Sequence, residues 1–244
     1  KIFLIEPNMV LGRANKFFLN FSERLLCYFK NLINLPEKFQ KKQIIISPLI
    51  REKYYDSKNY QKNNSLFTII IIGGSQGASI FDNLINEILV KISNVCSLKV
   101  IHQTSEKNIE LIKNFYDVNN IENKVFSFDQ NLNELLKESD LSITRGGASS
   151  LAELSLINVP FVVIPLPTSK DNHQYENAKY YRDNNCCWII EQNSFDKKKF
   201  EQLLINISSK KEEYMTKKNN LKKLNYQNTW NNVNQNLLKI INEN

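Results

Sequence analysis

The sequence predicts an α/β protein built on a doubly wound parallel sheet, and three observations carry this. Short apolar, β-branched segments alternate with segments of helical period from residue 67 to residue 190. Two of the apolar segments, TIIII and FVVIP, are continuous, as in strands covered on both faces. Three strand-to-helix junctions carry polar loops bearing glycine or proline, at the sheet edge where open α/β sheets bind ligands.

Residues 2–5, 25–29 and 44–47 are predicted strands, with a helix over 11–21. Residues 57–65 (SKNYQKNNS) show no apolar period and read as a linker or surface loop. A regular series follows, with strands at 67–72, 98–103, 125–128, 141–144, 161–164 and 187–190. The helices between them are expected at 79–92, 106–115, 132–137, 149–157 and 172–183. The tail from residue 200 keeps apolar positions at helical spacing (Leu203, Leu204, Ile207, then Leu237, Leu238, Ile241) and reads as helix.

Composition bounds the function classes. The 244 residues, 42% hydrophobic and 23% charged, suffice for one large domain or two small ones. Cys27, Cys96, Cys186 and Cys187 include one adjacent pair and no C-x-x-C spacing. That argues against a zinc site or disulfide framework and for reduced thiols in a cytosolic protein. No apolar run approaches the ~18 residues of a membrane helix. The net charge of +7 suits phosphates, anionic lipid or nucleic acid, but the lysines are scattered through Asn/Lys-rich segments. No aromatic platform interleaves with a basic groove, so nucleic acid is not an expected partner. The chain starts at Lys1 and runs directly into an apolar segment, and is expected to be part of a longer protein.

Three loops carry the chemistry. Gly73-Gly74-Ser75-Gln76-Gly77-Ala78 lies between a strand and a helix, where glycines let backbone N–H groups approach a phosphate and the helix presents its positive end. The alternative is a tight turn without ligand. Arg145-Gly146-Gly147-Ala148-Ser149-Ser150-Leu151-Ala152-Glu153 repeats the arrangement at the same edge. Its Glu153 suits ribose hydroxyls, or else simply complements the helix dipole. Residues 165–178 (PLPTSKDNHQYENA) form a third loop, rigidified by two prolines, with Asp171 as the expected helix N-cap and His173 and Gln174 in the first turn. Together the loops point to a nucleoside diphosphate ligand. GGSQGA has no Walker A lysine and is not G-x-G-x-x-G, which disfavours kinases and hydride-transfer enzymes.

In this order, GGSQGA, RGGASSLAE and KDNHQYENA resemble the motifs of the MurG family of bacterial UDP-N-acetylglucosamine transferases. EPN at residues 6–8 and SPLIR at 47–51 are similar to stretches that read EQN and NPVR there. The likeness runs from residue 2 to about residue 192. It implies a two-domain GT-B fold: residues 1–48 as the end of the acceptor domain, 49–225 as a complete Rossmann-like donor domain, and 226–244 as a helix returning toward the first domain.

The resemblance also implies a donor site. Asn8 would enter from the acceptor side. Arg51 and Ser75, with Gln76 and Gly77, would meet the diphosphate or sugar. The backbone at Asp129 would meet uracil. Ala148, Ser149, Ser150, Leu151, Ala152 and Glu153 would cradle phosphates and ribose, with Glu153 on the ribose. Gln174 would take the N-acetylglucosamine hydroxyls. Pro7 and Asp129 depart from the family's pattern, which has glutamine at the first position and commonly an apolar residue at the second.

The implied reaction is inverting transfer from UDP-N-acetylglucosamine to undecaprenyl-diphosphate-muramoyl-pentapeptide (lipid I to lipid II), in peptidoglycan synthesis. The implied place is the cytoplasmic face of the bacterial inner membrane, with peripheral contact. No D-x-D motif is present, so no metal and no cofactor are expected. The catalytic base is expected outside this chain, although His102, at a strand end, is a candidate within it. The chain alone is therefore expected to bind UDP-sugar with little turnover. Another UDP-sugar enzyme of the same fold, or the non-catalytic donor-binding subunit of a split glycosyltransferase, remain alternatives.

Overall fold

The strands of the computed structural model, which describes residues 1–59, 65–73, 79–209, 212–225 and 228–243, form two all-parallel sheets. The smaller contains β1 (Phe3–Glu6), β2 (Arg24–Cys27) and β3 (Gln43–Ile45) in that order, with α1 (Arg13–Phe18) between the first two strands.

The larger sheet contains β4 (Phe67–Ile72), β5 (Leu98–Gln103), β6 (Glu122–Phe126), β7 (Leu141–Thr144), β8 (Phe161–Val163) and β9 (Cys187–Ile189). Their order is β6-β5-β4-β7-β8-β9, so strand order reverses direction between β4 and β7. This is the doubly wound arrangement, whose ligand crevice lies at the carboxyl ends of the strands flanking that switch point.

All six residues of β4 are buried, because helices cover both faces. Alternate side chains go to opposite cores. Ile69 and Ile71 pack with Ile88, Leu89, Phe200 and Leu204, whereas Ile70 and Ile72 pack with Leu135, Leu151, Ala178 and Leu221. The helices supplying these layers are α2 (Ser79–Leu84), α3 (Asn86–Ser93), α4 (Ile109–Val118), α5 (Leu132–Glu138), α6 (Ala148–Leu156), α7 (His173–Asp183), α8 (Lys197–Ser208) and α9 (Glu212–Asn225); α10 (Trp230–Glu243) follows.

Asparagine ends three of the helices. Asn120, Asn158 and Asn185 adopt φ of 54°, 59° and 53° after α4, α6 and α7. Each left-handed residue turns the next amide back onto the helix: Ile121 N to Tyr116 O, Val159 N to Leu154 O, and Cys186 N to Tyr181 O, at 3.0, 3.1 and 2.8 Å.

Some boundaries differ from expectation. The helix expected over 79–92 is broken at Ile85, where φ is −110°, and the next residue, buried Asn86, accepts from the Tyr116 hydroxyl. The strand expected at 125–128 lies earlier, at Glu122–Phe126, an edge strand whose polar first residues conceal it from an apolar pattern. The loop expected over 57–65 is entered by a 3-10 helix, Glu52–Asn59, and residues 60–64 lie outside the described residues.

The two sheets are joined by side-chain contacts. The Phe29 and Tyr180 rings meet edge-on at 4.8 Å, Tyr55 lies 5.9 Å from Trp230, and Ser47 Oγ donates to Asn228 Oδ1 at 3.0 Å. Among the described residues, no helix is long and apolar enough to cross a membrane.

Candidate functional site

Ile72 pairs with Thr144, so β4 and β7 end side by side, with Gly73 and Arg145 the next residues of each. Gly73 is buried at the end of β4; Ser75, Gln76 and Gly77, expected at the diphosphate, lie outside the described residues. After β7, Gly146 has a local reason to be glycine. A Cβ there would stand 2.1 Å from the Gln174 carbonyl oxygen, so the third loop approaches the second backbone-to-backbone. Gly147, extended at φ −68° and ψ 130°, then opens α6 without a side-chain cap.

The first intrahelical bond of α6 runs from Leu151 N to Gly147 O at 3.0 Å. The amides of Ala148, Ser149 and Ser150 have no carbonyl a turn earlier to bond, and they converge at the positive end of the helix. Ser149 is exposed and Ser150 half-buried, whereas Leu151 and Ala152 pack in the core. Any part the last two take at the rim falls to their backbone.

The third loop is shaped by two successive left-handed residues, Asp171 at φ 52° and Asn172 at φ 55°. Asp171 does not cap α7, contrary to expectation. Asn172 occupies the cap position and its side chain makes no cap bond. Left-handed backbone at a non-glycine residue costs about 1–3 kcal/mol, so the surrounding contacts must hold this turn. It delivers Gln174, whose Oε1 accepts from Leu166 N at 2.9 Å and from Gly146 N at 3.3 Å. Two backbone donors spend the amide oxygen, so the side chain's remaining hydrogen-bonding capacity is the two N–H groups of Nε2.

Asn8 reaches this region from the small sheet. Buried Glu6 gathers the intervening loop by accepting from Asn8 N and Nδ2, Gly12 N and Asn15 Nδ2 at 3.1, 3.1, 2.7 and 2.9 Å. Asn177, fully buried on α7, then ties the loop to the second glycine turn. It donates to Asn8 Oδ1 and to Gly146 O, each at 3.0 Å, and accepts from Met9 N at 2.7 Å. A cleft of about 140 Å³ lies between the halves here, with Asn8, Gly12 and Arg13 on one side and Lys170, Asp171 and His173 on the other. A larger one, about 340 Å³, opens beyond β8 and β9, lined by Pro165, Leu166, Tyr175, Glu191 and Gln192.

Glu153 lies farther along α6, turned toward the segment that joins the two sheets. Its Oε1 is 3.6 Å from Arg51 Nη2, and Arg51 Nη2 also donates to Tyr54 Oη at 3.2 Å. Burial pushes the Glu153 carboxyl above the ordinary range, and the Arg51 charge only partly offsets this. Asp129, after β6, pairs with Lys124 at 2.7 Å, which holds its carboxyl below the ordinary range, and its Oδ1 accepts from Asn131 N. Beside it, Phe128 is 77% exposed, a large apolar ring at the carboxyl edge of the sheet.

Two residues of the expected motifs serve the core instead. His102 is fully buried, with Nδ1 2.8 Å from the Tyr116 hydroxyl and Nε2 3.1 Å from Asp82 Oδ1. It faces α2 and α4 with no exposed surface, and is not placed to take a proton from an acceptor. Arg145 is buried, donating to Ile164 O at 2.8 Å and Gln192 Oε1 at 2.9 Å above the Phe81 ring. Its guanidinium braces β7 against the loops after β8 and β9.

The structure thus brings Asn8, Gln174 and the first turn of α6 to one rim, sets Glu153 with Arg51 beside it, and leaves Asp129 at the far edge. Sequence reasoning missed Asn177, Glu6 and Phe128 as site residues. Only Glu6 carried a signal, as the acidic end of an apolar strand.

Residues 68–231 match the glycosyltransferase family 28 C-terminal domain. A relative from Pelagibacter ubique (strain HTCC1062) is named UDP-N-acetylglucosamine--N-acetylmuramyl-(pentapeptide) pyrophosphoryl-undecaprenol N-acetylglucosamine transferase. It is 44% identical over 244 residues, covering all of this chain and 68% of the relative. A relative of the same name from Rickettsia canadensis (strain McKiel) is 36% identical over 213 residues, covering 85% of this chain and 60% of its own. The chain therefore spans about two thirds of these curated relatives. Among solved structures, Acinetobacter baumannii MurG superposes with a TM-score of 0.79 at 21% identity, covering 99% of this chain and 67% of that one. The GT-B fold expected from sequence is thereby shown.

Proposed function

The chain belongs to the MurG family of UDP-N-acetylglucosamine transferases, and from that premise we propose that its switch-point rim binds UDP-N-acetylglucosamine for inverting transfer to a lipid-linked muramoyl-pentapeptide acceptor. One observation carries the reading. Gln174 Oε1 bonds both Gly146 N and Leu166 N, and so holds the second and third loops as one surface around the open end of α6.

The chemistry follows from that surface. As the acceptor hydroxyl gives its proton to a base outside these residues and its oxygen attacks the anomeric carbon, the bond to UDP breaks and negative charge gathers on the leaving diphosphate. The amides of Ala148, Ser149 and Ser150 stabilise that charge in place, joined by the loop of residues 73–78 and the Arg51 guanidinium. The Gln174 amino group donates to a sugar hydroxyl, Glu153 accepts from the ribose, and the backbone at Asp129 meets the uracil. Residues 1–48 act as the acceptor-side half, 49–225 as the donor half, and 226–244 as the returning helix. The whole enzyme works at the cytoplasmic face of the inner membrane, in peripheral contact with it.

Titration calorimetry with UDP, UDP-N-acetylglucosamine and ADP tests the donor reading. Saturable binding of both uridine ligands with at least tenfold weaker ADP binding is expected. Equal heats for UDP and ADP, or none for either, would sink it.

A further inference from the structure

We propose that Asn177 is a positioning residue that couples occupation of the diphosphate rim to closure of the two halves. The inference rests on the donor-site reading above.

Burying a side-chain amide is costly unless all its hydrogen-bonding groups are met. Asn177 meets all of them outside its own helix. Both Nδ2 hydrogens are used, one on Asn8 Oδ1 and one on Gly146 O, and its Oδ1 takes the Met9 amide. A packing role would be served by an apolar side chain of the same volume. This amide is instead spent on two segments that belong to different sheets.

Each end of the bridge is stiff. On one side, Glu6 accepts four hydrogen bonds from residues 8–15, so the loop carrying Asn8 and Met9 moves as a unit. On the other, Gly146 has its N–H on Gln174 Oε1 and its carbonyl on Asn177 Nδ2. Those two bonds fix the peptide planes on both sides of Gly146, and with them the direction in which α6 presents its first amides. A diphosphate pressing on that turn acts on the Gly146 carbonyl, through Asn177 onto Met9, and so on the acceptor-side loop. Among the described residues, the two segments have no other shared hydrogen-bond partner there.

Hydrogen exchange of the full chain, read by mass spectrometry with and without saturating UDP, separates this from simple packing. In the wild type, UDP should slow exchange in peptides covering 146–151 and also in those covering 6–12. In Asn177→Ala, protection of 146–151 by UDP should persist. Protection of 6–12 should be lost, with ligand-free exchange there about tenfold faster. Asn177→Ser, which empties less space and whose single hydroxyl hydrogen cannot serve both Asn8 and Gly146, should show the same uncoupling if the alanine variant does not fold. UDP-dependent protection of 6–12 equal to wild type in a folded variant overturns the positioning role. Absence of protection at 146–151 in the wild type would instead count against the donor site itself.

Discussion

Arg51 Nη2 lies 3.6 Å from Glu153 Oε1, linking the first residues after the small sheet to the helix that the second glycine loop opens. Arg51 is mostly exposed while Glu153 is largely buried, so the pair is asymmetric: the arginine is solvated and the carboxylate is not. Desolvation therefore prevails over the ion pair, and the Glu153 carboxyl titrates above its ordinary range. With the folded pKa above the unfolded one, the folded chain holds more protons between the two values. This group's contribution to stability accordingly declines as pH rises through that window, and at neutral pH it is a cost.

A ligand that donates hydroxyls to Glu153 relieves that cost only when the carboxylate is ionised. UDP affinity should therefore be greater at about pH 7.5 than at about pH 5. Glu153→Gln should weaken UDP by about tenfold, from loss of ~1.5 kcal/mol of charge-assisted hydrogen bonding. It should also flatten the pH dependence. Calorimetry of both proteins at the two pH values checks this, and a pH dependence unchanged in the variant would remove Glu153 from the ribose.

Gly146 and Gly147 are neighbours with opposite tolerances. A Cβ on Gly146 meets the Gln174 carbonyl at 2.1 Å, whereas one on Gly147 meets nothing nearer than Ser150 Oγ at 3.9 Å. Gly146→Ala must push α7 away from β7 and should cost about 3 kcal/mol, at the upper end of overpacking effects. Gly147→Ala, at an extended cap position, should stay within about 1 kcal/mol. Urea unfolding of the two variants is the comparison; equal midpoints would mean that the loops are not packed as closely as described.

How much of this was legible depended on which property a residue revealed by itself. β4, β5 and β7 lie at the bounds read from sequence: β4 is a nearly continuous apolar run buried on both faces, and β5 and β7 keep enough buried apolar positions (Leu98, Val100 and Ile101; Leu141 and Ile143) to show as strands. β6 was displaced, because an edge strand half in water is written with Glu122 and Lys124 among its apolar residues. The end of α4, expected at residue 115, lies at Val118, because asparagine replaces glycine at the left-handed stop and Asn120 does not stand out in an asparagine-rich chain; α7 ends at Asp183 as expected. Gln174 stood out in the sequence because its loop sits at a strand end, and it bridges the second and third loops in the structure. Asn177 did not stand out: in the run HQYENA it reads as surface polarity. Its burial depends on the missing Gly146 side chain and on a loop 168 residues away. His102 was misread for the complementary reason, since a polar residue near a strand end looks functional until the helices covering it are in place.

That His102 network makes a prediction about acid. Burial pushes the Asp82 carboxyl up, but hydrogen bonds from His102, Asn108 and Thr104 outweigh this and hold it below the ordinary range. A depressed folded pKa contributes stability that is present above the unfolded pKa and lost as pH falls through the folded value. Asp82→Asn should lower stability at neutral pH by about 1–3 kcal/mol, by leaving buried partners mismatched. It should also remove part of the decline that sets in below about pH 4. Thermal melts across that range read both effects; an unchanged acid slope in the variant would show that other carboxylates set it.

Phe128 is the one large aromatic at the carboxyl edge beside Asp129 among the described residues, and at 77% exposure it contributes little to the core. An exposed ring next to a backbone expected to read uracil is a stacking surface, and base–aromatic stacking is worth about 1–3 kcal/mol. Phe128→Ala should therefore leave the melting temperature within about 1 °C of wild type, as for other surface substitutions. UDP affinity should fall by about tenfold or more. Inorganic pyrophosphate, which has no base, should bind both proteins alike. Competition calorimetry with the two ligands separates the effects. Parallel losses for UDP and pyrophosphate would place the defect at the diphosphate loops, and unchanged UDP affinity would move the base away from this edge.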